Sequence, residues 1–81
     1  MQRPTPEMLQ YLRLHYTAGS RVRLTRMDDP YRPDLKAGAL GTVVGVDDAG
    51  NILVKWDCGS SLSVLYGVDS CTVVEGRKQN D

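Results

Sequence analysis

The chain has 81 residues, equal numbers of basic and acidic side chains and an apolar fraction of 41%, which allows one domain with a small core and excludes a disordered chain. Its sequence has no apolar run near the roughly 20 residues of a membrane-spanning helix and no secretion signal at the N-terminus, so we expect a cytoplasmic protein. The neutral total argues against a strong non-specific nucleic-acid binder, although seven of the ten Lys and Arg residues fall in residues 1–36.

The first predicted element is a helix over residues 5–16, in an N-terminal extension that comprises residues 1–17. Thr5 is a typical N-cap and Pro6 suits the first helical position. Apolar and aromatic side chains recur at three- and four-residue steps, at Met8, Leu9, Leu12, His15 and Tyr16. We expect this helix to cover one end or edge of the remaining fold. The alternative is that it forms the contact of a homo-oligomer.

Five short strands are predicted next, over residues 21–25, 40–46, 52–56, 62–65 and 71–74. Side chains alternate between two faces over residues 21–25 and 52–56, as in half-buried strands, and Gly41 and Gly45 permit bends in the second strand. Residues 47–51 have the Gly and Asn of a hairpin turn, in which Asp47 and Asp48 are expected to make Asx-type bonds. Residues 66–69 are predicted to form one tight helical turn, with Asp69 bonding backbone amides of that turn.

A loop of about a dozen residues separates the first two strands, over residues 27–38. Pro30 and Pro33 lack the amide hydrogens that a sheet needs, and a loop of this length in a small domain is usually functional. The polar end of the chain, residues 76–81, is expected to be frayed. One helix followed by five strands predicts a mainly β fold: a small SH3-like barrel over residues 18–75.

Four short motifs occur in order along the predicted barrel. They are G-x-R-V-R-L-x-x-M-x-D-P-Y at residues 19–31, G-x-x-G-T-V at 38–43, I-x-V-x-W-D-x-G at 52–59 and L-x-x-x-x-G-x-D at 62–69. Together they resemble the bacterial and phage family called domain of unknown function 4314, over residues 18–75. The resemblance implies an SH3-like fold and a setting in bacteria, phages or mobile elements, and it implies no particular chemistry. The predicted helix lies outside these motifs.

Catalytic and metal-binding patterns are absent from the sequence. No serine has a G-x-S-x-G elbow around it, and His15 has no His or Cys neighbour at metal-ligand spacing. Cys58 and Cys71 are too few for a disulfide framework, so we expect free thiols at positions where a barrel buries a small apolar group. We therefore predict no enzymatic activity, no metal and no cofactor.

The aromatic residues are the best functional lead. Tyr31 in the long loop, Trp56 at a strand end and Tyr66 in the tight turn belong to regions that converge on one groove in SH3-like barrels. Aromatic walls suit extended peptides, cations and splayed bases. For Trp56 the alternative is a place in the core, because it shares a strand face with Ile52 and Val54. Arg23, Arg32 and Lys55 are expected to supply cations for the ligand, on the outer face of the barrel or in the long loop.

Two functions follow from this pattern. The first is a binding module that holds a protein segment or a nucleic-acid strand in the aromatic groove. The second is a phage or mobile-element effector that sequesters a host protein or a small signalling nucleotide as an oligomer.

Overall fold

The computed structural model describes residues 3–27 and 35–74. Within these residues the chain forms a helix and four strands: α1 (Pro6–His15), β1 (Arg21–Arg26), β2 (Leu40–Val46), β3 (Ile52–Trp56) and β4 (Ser70–Val73). The predictions for Pro30, Pro33 and the 76–81 tail lie outside the described residues.

Helix α1 begins and ends where local chemistry satisfies its free backbone groups. The Oγ1 atom of Thr5 accepts a hydrogen bond from the Met8 amide at 3.1 Å, and Pro6 occupies the first turn. At the other end, the Tyr16 amide donates to the Leu12 carbonyl at 2.8 Å. The predicted helix over residues 5–16 is thus confirmed, one residue shorter at each end.

The four strands form one antiparallel sheet in the order β3-β2-β1-β4. Leu24 of β1 lies opposite Cys71 of β4, and Val43 of β2 lies opposite Val54 of β3. All four side chains are buried, so this register places them on the inward face of the sheet. The core on that face consists of Val22, Leu24, Leu35, Val43, Ile52, Val54, Trp56, Val64 and Cys71.

Helix α1 lies on the inward side of the sheet and is bonded to edge strand β4 and to the region where β2 enters its turn to β3. The buried Leu12 faces the core side, and the Tyr16 hydroxyl donates to the Cys71 carbonyl of edge strand β4 at 3.2 Å. The guanidinium of Arg13 donates to the Val46 carbonyl at 3.4 Å and to Asp48 Oδ1 at 2.7 Å, next to edge strand β3. The helix therefore covers one end of the sheet.

The prediction of a closed five-stranded SH3-like barrel is wrong. The predicted strand over residues 62–65 contacts β3 by a single bridge between Ile52 and Val64, with N–H to O distances of 3.0 and 2.9 Å. The Trp56 amide donates to the Ser60 carbonyl at 2.8 Å, in the register of this bridge. Between the two contacts, the Leu62 carbonyl accepts from the indole N–H of Trp56 at 2.8 Å, and so the ladder is interrupted at Leu62. The described chain forms an open, mainly β sheet.

No helix in the described residues has both the length and the hydropathy needed to cross a membrane.

Candidate functional site

The turn between β2 and β3 is organised by one carboxylate. Asp47 Oδ1 accepts from the amides of Ala49 and Asn51 at 3.0 and 2.9 Å, and Oδ2 accepts from the Asn51 side-chain amide at 3.2 Å. The Asx-type bonding predicted here is confirmed for Asp47. Asp48 instead extends to Arg13 of the helix. This turn is therefore fixed both internally and against α1.

The segment after the Ile52–Val64 bridge is a second rigid turn. The amides of Val68 and Asp69 both donate to the Leu65 carbonyl, at 3.1 and 3.0 Å, and Asp69 Oδ2 accepts from the Leu65 amide at 3.0 Å. The prediction that Asp69 bonds a backbone amide of its own turn is confirmed. The turn presents Tyr66 between Leu65 and Val68.

Asn51 connects the two turns. Its Oδ1 atom accepts from the Tyr66 amide at 2.9 Å, while its side-chain amide donates to Asp47. Gly50 lies against the Tyr66 ring: a Cβ atom there would meet Tyr66 Cδ1 at 3.3 Å and Pro4 Cγ at 2.8 Å. Gly50 also has a φ of +84°, which glycine adopts freely. Tyr66 is consequently positioned by its backbone and by a close contact with its ring.

A hollow of about 310 Å³ opens beside this turn. We call it the Tyr66 hollow; its lining residues are Arg3, Ala49, Asn51 and 65–68. Leu65 and Val68 are 45% and 49% exposed there. A second hollow of about 210 Å³ shares residues 65–67 and extends below α1 to Leu12 and Tyr16. Apolar surface thus remains open on both sides of Tyr66.

The structure does not gather the predicted site residues into one groove. Tyr66 lines the Tyr66 hollow, but Trp56 is 2% exposed in the core, which is the alternative that the sequence left open for it. Arg23 and Lys55 are exposed on the opposite face of the sheet, because they alternate with buried residues of β1 and β3. Tyr31 and Arg32 lie outside the described residues.

On the outward sheet face one cation is neutralised and two others stand apart from each other. Arg21 is bound by the carboxylate of Asp57 through two hydrogen bonds of 2.8 and 2.6 Å. Thr42 of β2 lies opposite Arg21 on one side and opposite Lys55 on the other. Arg23 lies two residues further along β1, opposite Leu40. Strand spacing then separates the Cα atoms of Arg23 and Lys55 by roughly 12 Å. No aromatic side chain of the described strands alternates onto this face.

Three of the side chains that could serve in catalysis, Ser20, His15 and Cys71, make structural contacts or are buried. Ser20 is bonded to Thr17 at 2.9 Å, and His15 stacks on Tyr11 with ring centroids 5.4 Å apart. Burial raises the pKa of the Cys71 thiol to about 11, so this group is protonated and a poor nucleophile at neutral pH. Cys58 is exposed, which corrects the expectation that both thiols are buried. Residues 3–27 and 35–74 contain no cluster of three or more potential metal-ligating side chains.

Sequence reasoning missed most of the Tyr66 hollow. Leu65 ends the predicted fourth strand and Val68 lies in the predicted tight turn, and at such positions strand alternation does not indicate whether a side chain is exposed. Arg3 lines the hollow because the chain that precedes α1 passes beside it. No local signal in the sequence indicates that placement.

Comparison with known proteins identifies a family. A family model described as Domain of unknown function (DUF4314) matches residues 5–74. The four motifs had indicated that the helix lies outside the family pattern. The matched region contains α1, so the helix is part of that pattern. Searches against curated proteins and against solved structures gave no significant match.

Proposed function

This chain belongs to the family described as Domain of unknown function (DUF4314), and we propose that it is a non-enzymatic binding module whose Tyr66 hollow holds a short segment of another protein. The observation that carries this proposal is the exposure of Leu65 and Val68 around a tyrosine that the fold holds rigidly. Exposed apolar groups on a rigid support are typical of recognition surfaces.

Rigidity favours binding because little freedom is lost when the partner arrives. The Tyr66 amide is fixed by Asn51, and the Leu65 amide by Asp69. Neither contact needs to rearrange for a ligand to enter the hollow, so the entropic cost of association falls mainly on the partner.

Size and chemistry of the hollow favour a particular kind of segment. A volume of about 310 Å³ accommodates one or two apolar side chains of an extended peptide. Arg3 at the rim supplies a cation for a carboxylate. We therefore propose a segment with an apolar anchor followed by an acidic residue or by a chain terminus.

A protein segment suits this surface better than nucleic acid does. Single strands are held by aromatic rings and cations that act along one track. Here Tyr66 lies on the inward side of the sheet, whereas Arg23 and Lys55 lie on its outward face. The charge of Arg21 is already neutralised by Asp57.

The test is selection of binders from a random peptide library, followed by titration of the selected peptide. Val68→Ser is expected to weaken binding about tenfold or more, because it removes apolar contact from the hollow. Val44→Ser is the matched control: Val44 is 60% exposed on β2, away from the hollow, and its substitution is expected to leave affinity unchanged. Equal losses in both variants would contradict the placement of the site.

The other partner classes are separate outcomes of the same set of measurements. Binding to an oligonucleotide that falls steeply with salt, and that is lost in Arg23→Ala, would replace the proposal with a nucleic-acid module. A rise in melting temperature with a small nucleotide would favour the effector function instead. Failure of every peptide to bind with measurable affinity would reject the proposal.

A further inference from the structure

Helix α1 exposes an apolar stripe on the side opposite to its packed face. Leu12, Arg13 and Tyr16 contact the sheet and its turns. On the other side, Met8 is 40% exposed, Tyr11 54% and Leu14 71%. Residues at three-residue spacing are neighbours on a helix surface, so these three side chains form one stripe, which we call the α1 stripe.

The α1 stripe has a symmetric arrangement about Tyr11. Met8 and Leu14 lie three residues to either side, and Glu7 and His15 lie four residues to either side. An arc of about 120° on the helix contains all five side chains. A two-fold axis through Tyr11 in an antiparallel helix pair therefore brings Met8 level with Leu14 of a second copy, and Glu7 level with His15 of that copy.

We propose that the α1 stripe is a homodimer contact, made by antiparallel pairing of α1 with α1 of a second copy about Tyr11. A polar match at the ends of the stripe identifies the occupant: Glu7 near the N-terminus of each helix lies level with His15 near the C-terminus of the other, and an imidazole N–H can donate to a carboxylate. Antiparallel helices also place opposite ends of their dipoles together. The apolar groups of both copies then fill the centre of the contact.

The side chains at the centre are ordered before association. The Tyr11 and His15 rings stack at 5.4 Å with an interplanar angle of 10°, and the His15 and Tyr16 rings meet edge to face at 4.7 Å. This arrangement reduces the side-chain entropy that pairing would cost. It also holds the imidazole of His15 near the position that Glu7 of the second copy would reach.

The contact is small. Ten helical residues span about 15 Å, which is less than a standard interface requires, so a weak dimer with a dissociation constant of micromolar order or higher is expected. The dimer and the Tyr66 hollow use different side chains, and either proposal can fail while the other stands.

Sedimentation equilibrium of the full chain over a wide concentration range tests the contact. Leu14→Arg is expected to weaken dimerisation about tenfold or more, because it puts two arginines into the centre. Val44→Arg introduces the same charge at a comparably exposed position outside the stripe and is expected to leave the dimer intact. Glu7→Lys is expected to weaken the dimer, and the charge-swapped double variant Glu7→Lys/His15→Glu to restore it, with helix content checked by circular dichroism.

Disulfide trapping tests the register. In a Cys58→Ser background, which removes the exposed native thiol, Tyr11→Cys is expected to give a covalent dimer under mild oxidation, whereas Gln10→Cys, off the stripe, is not. A chain that stays monomeric at all concentrations, a dimer indifferent to Leu14→Arg, or equal trapping at positions 10 and 11 would overturn the proposal. Dimerisation that appears only after residues 75–81 are removed would assign the stripe to that segment and also overturn it.

Discussion

Arg21 and Asp57 form a bidentate ion pair across the sheet. Nη1 of Arg21 donates to Oδ1 at 2.8 Å and Nη2 to Oδ2 at 2.6 Å. Nη1 also donates to Oγ1 of Thr42, at 3.0 Å, on the strand between them. One guanidinium thus connects β1, β2 and the turn after β3. These hydrogen bonds and the attraction between the charges lower the pKa of Asp57 and raise that of Arg21.

The ion pair makes stability depend on acid pH. Since the folded-state pKa of Asp57 is below its ordinary value, its stabilisation is present above the ordinary carboxyl pKa and is lost as pH falls through the lowered one. Asp57→Asn should melt below the wild type at pH 7, by a small margin because the pair is solvent-exposed, and the two should converge in acid. Asp48→Asn, which loses a single bond to Arg13, is the control with a smaller effect. A gap that widens toward low pH would contradict this account.

Trp56 is expected to be the most costly single position in the core. It is 2% exposed, and its indole N–H donates to the Leu62 carbonyl at 2.8 Å. Trp56→Ala should lose about 3–5 kcal/mol of the free energy of unfolding, which is a large part of the total stability of a small domain. Trp56→Phe keeps most of the ring and should lose less. Urea denaturation followed by circular dichroism measures both; a well-folded Trp56→Ala chain with unchanged stability would place the ring outside the core.

The helix and the strands with strong local signals were predictable from the sequence. Whether the strands close into a barrel was not. The bounds predicted for β2 and β3 are those of the structure, and Thr5 with Pro6 indicated the helix start. The pairing of β3 with this segment is interrupted at Leu62, because the Leu62 carbonyl accepts from the indole N–H of Trp56. That is a non-local outcome, which a strand pattern over residues 62–65 does not encode.

The candidate site likewise contains some residues that the sequence could identify and others that it could not. Tyr66 was identifiable because an aromatic side chain in a glycine-containing turn has no strand face to occupy. Trp56 was ambiguous because alternation groups it with Ile52 and Val54 without saying which way that face points. The neighbourhood of Tyr66 comes from Asn51 and Arg3, which are distant in sequence. Only the fold brings them together.

Two glycines of β2 are expected to respond differently to the same substitution. A Cβ atom at Gly41 would meet Val54 Cγ1 at 2.6 Å and Trp56 Cε3 at 2.8 Å, whereas one at Gly45 would have no heavy atom of the described residues within 4 Å. Gly41→Ala should therefore destabilise by about 1–3 kcal/mol through overpacking. Gly45→Ala should be near neutral, since it gains by restricting the unfolded chain. Urea midpoints of the two variants measure the difference; equal losses would mean that the backbone conformation, and not the contact, sets the requirement at Gly41.

The two cysteines should differ in reactivity by their environment. Cys58 is exposed and Cys71 is buried, and burial raises the pKa of the Cys71 thiol to about 11. The thiolate is the reactive form, so at pH 8 an alkylating reagent should modify Cys58 rapidly, whereas Cys71 should react only as fast as the core opens. Peptide mapping by mass spectrometry over time distinguishes the two sites, and the same reaction in guanidinium, where both thiols are free, gives the reference rate. Comparable rates in the folded chain would mean that β4 detaches from β1 readily, and the Tyr16 contact to the Cys71 carbonyl would then not hold the edge strand in place.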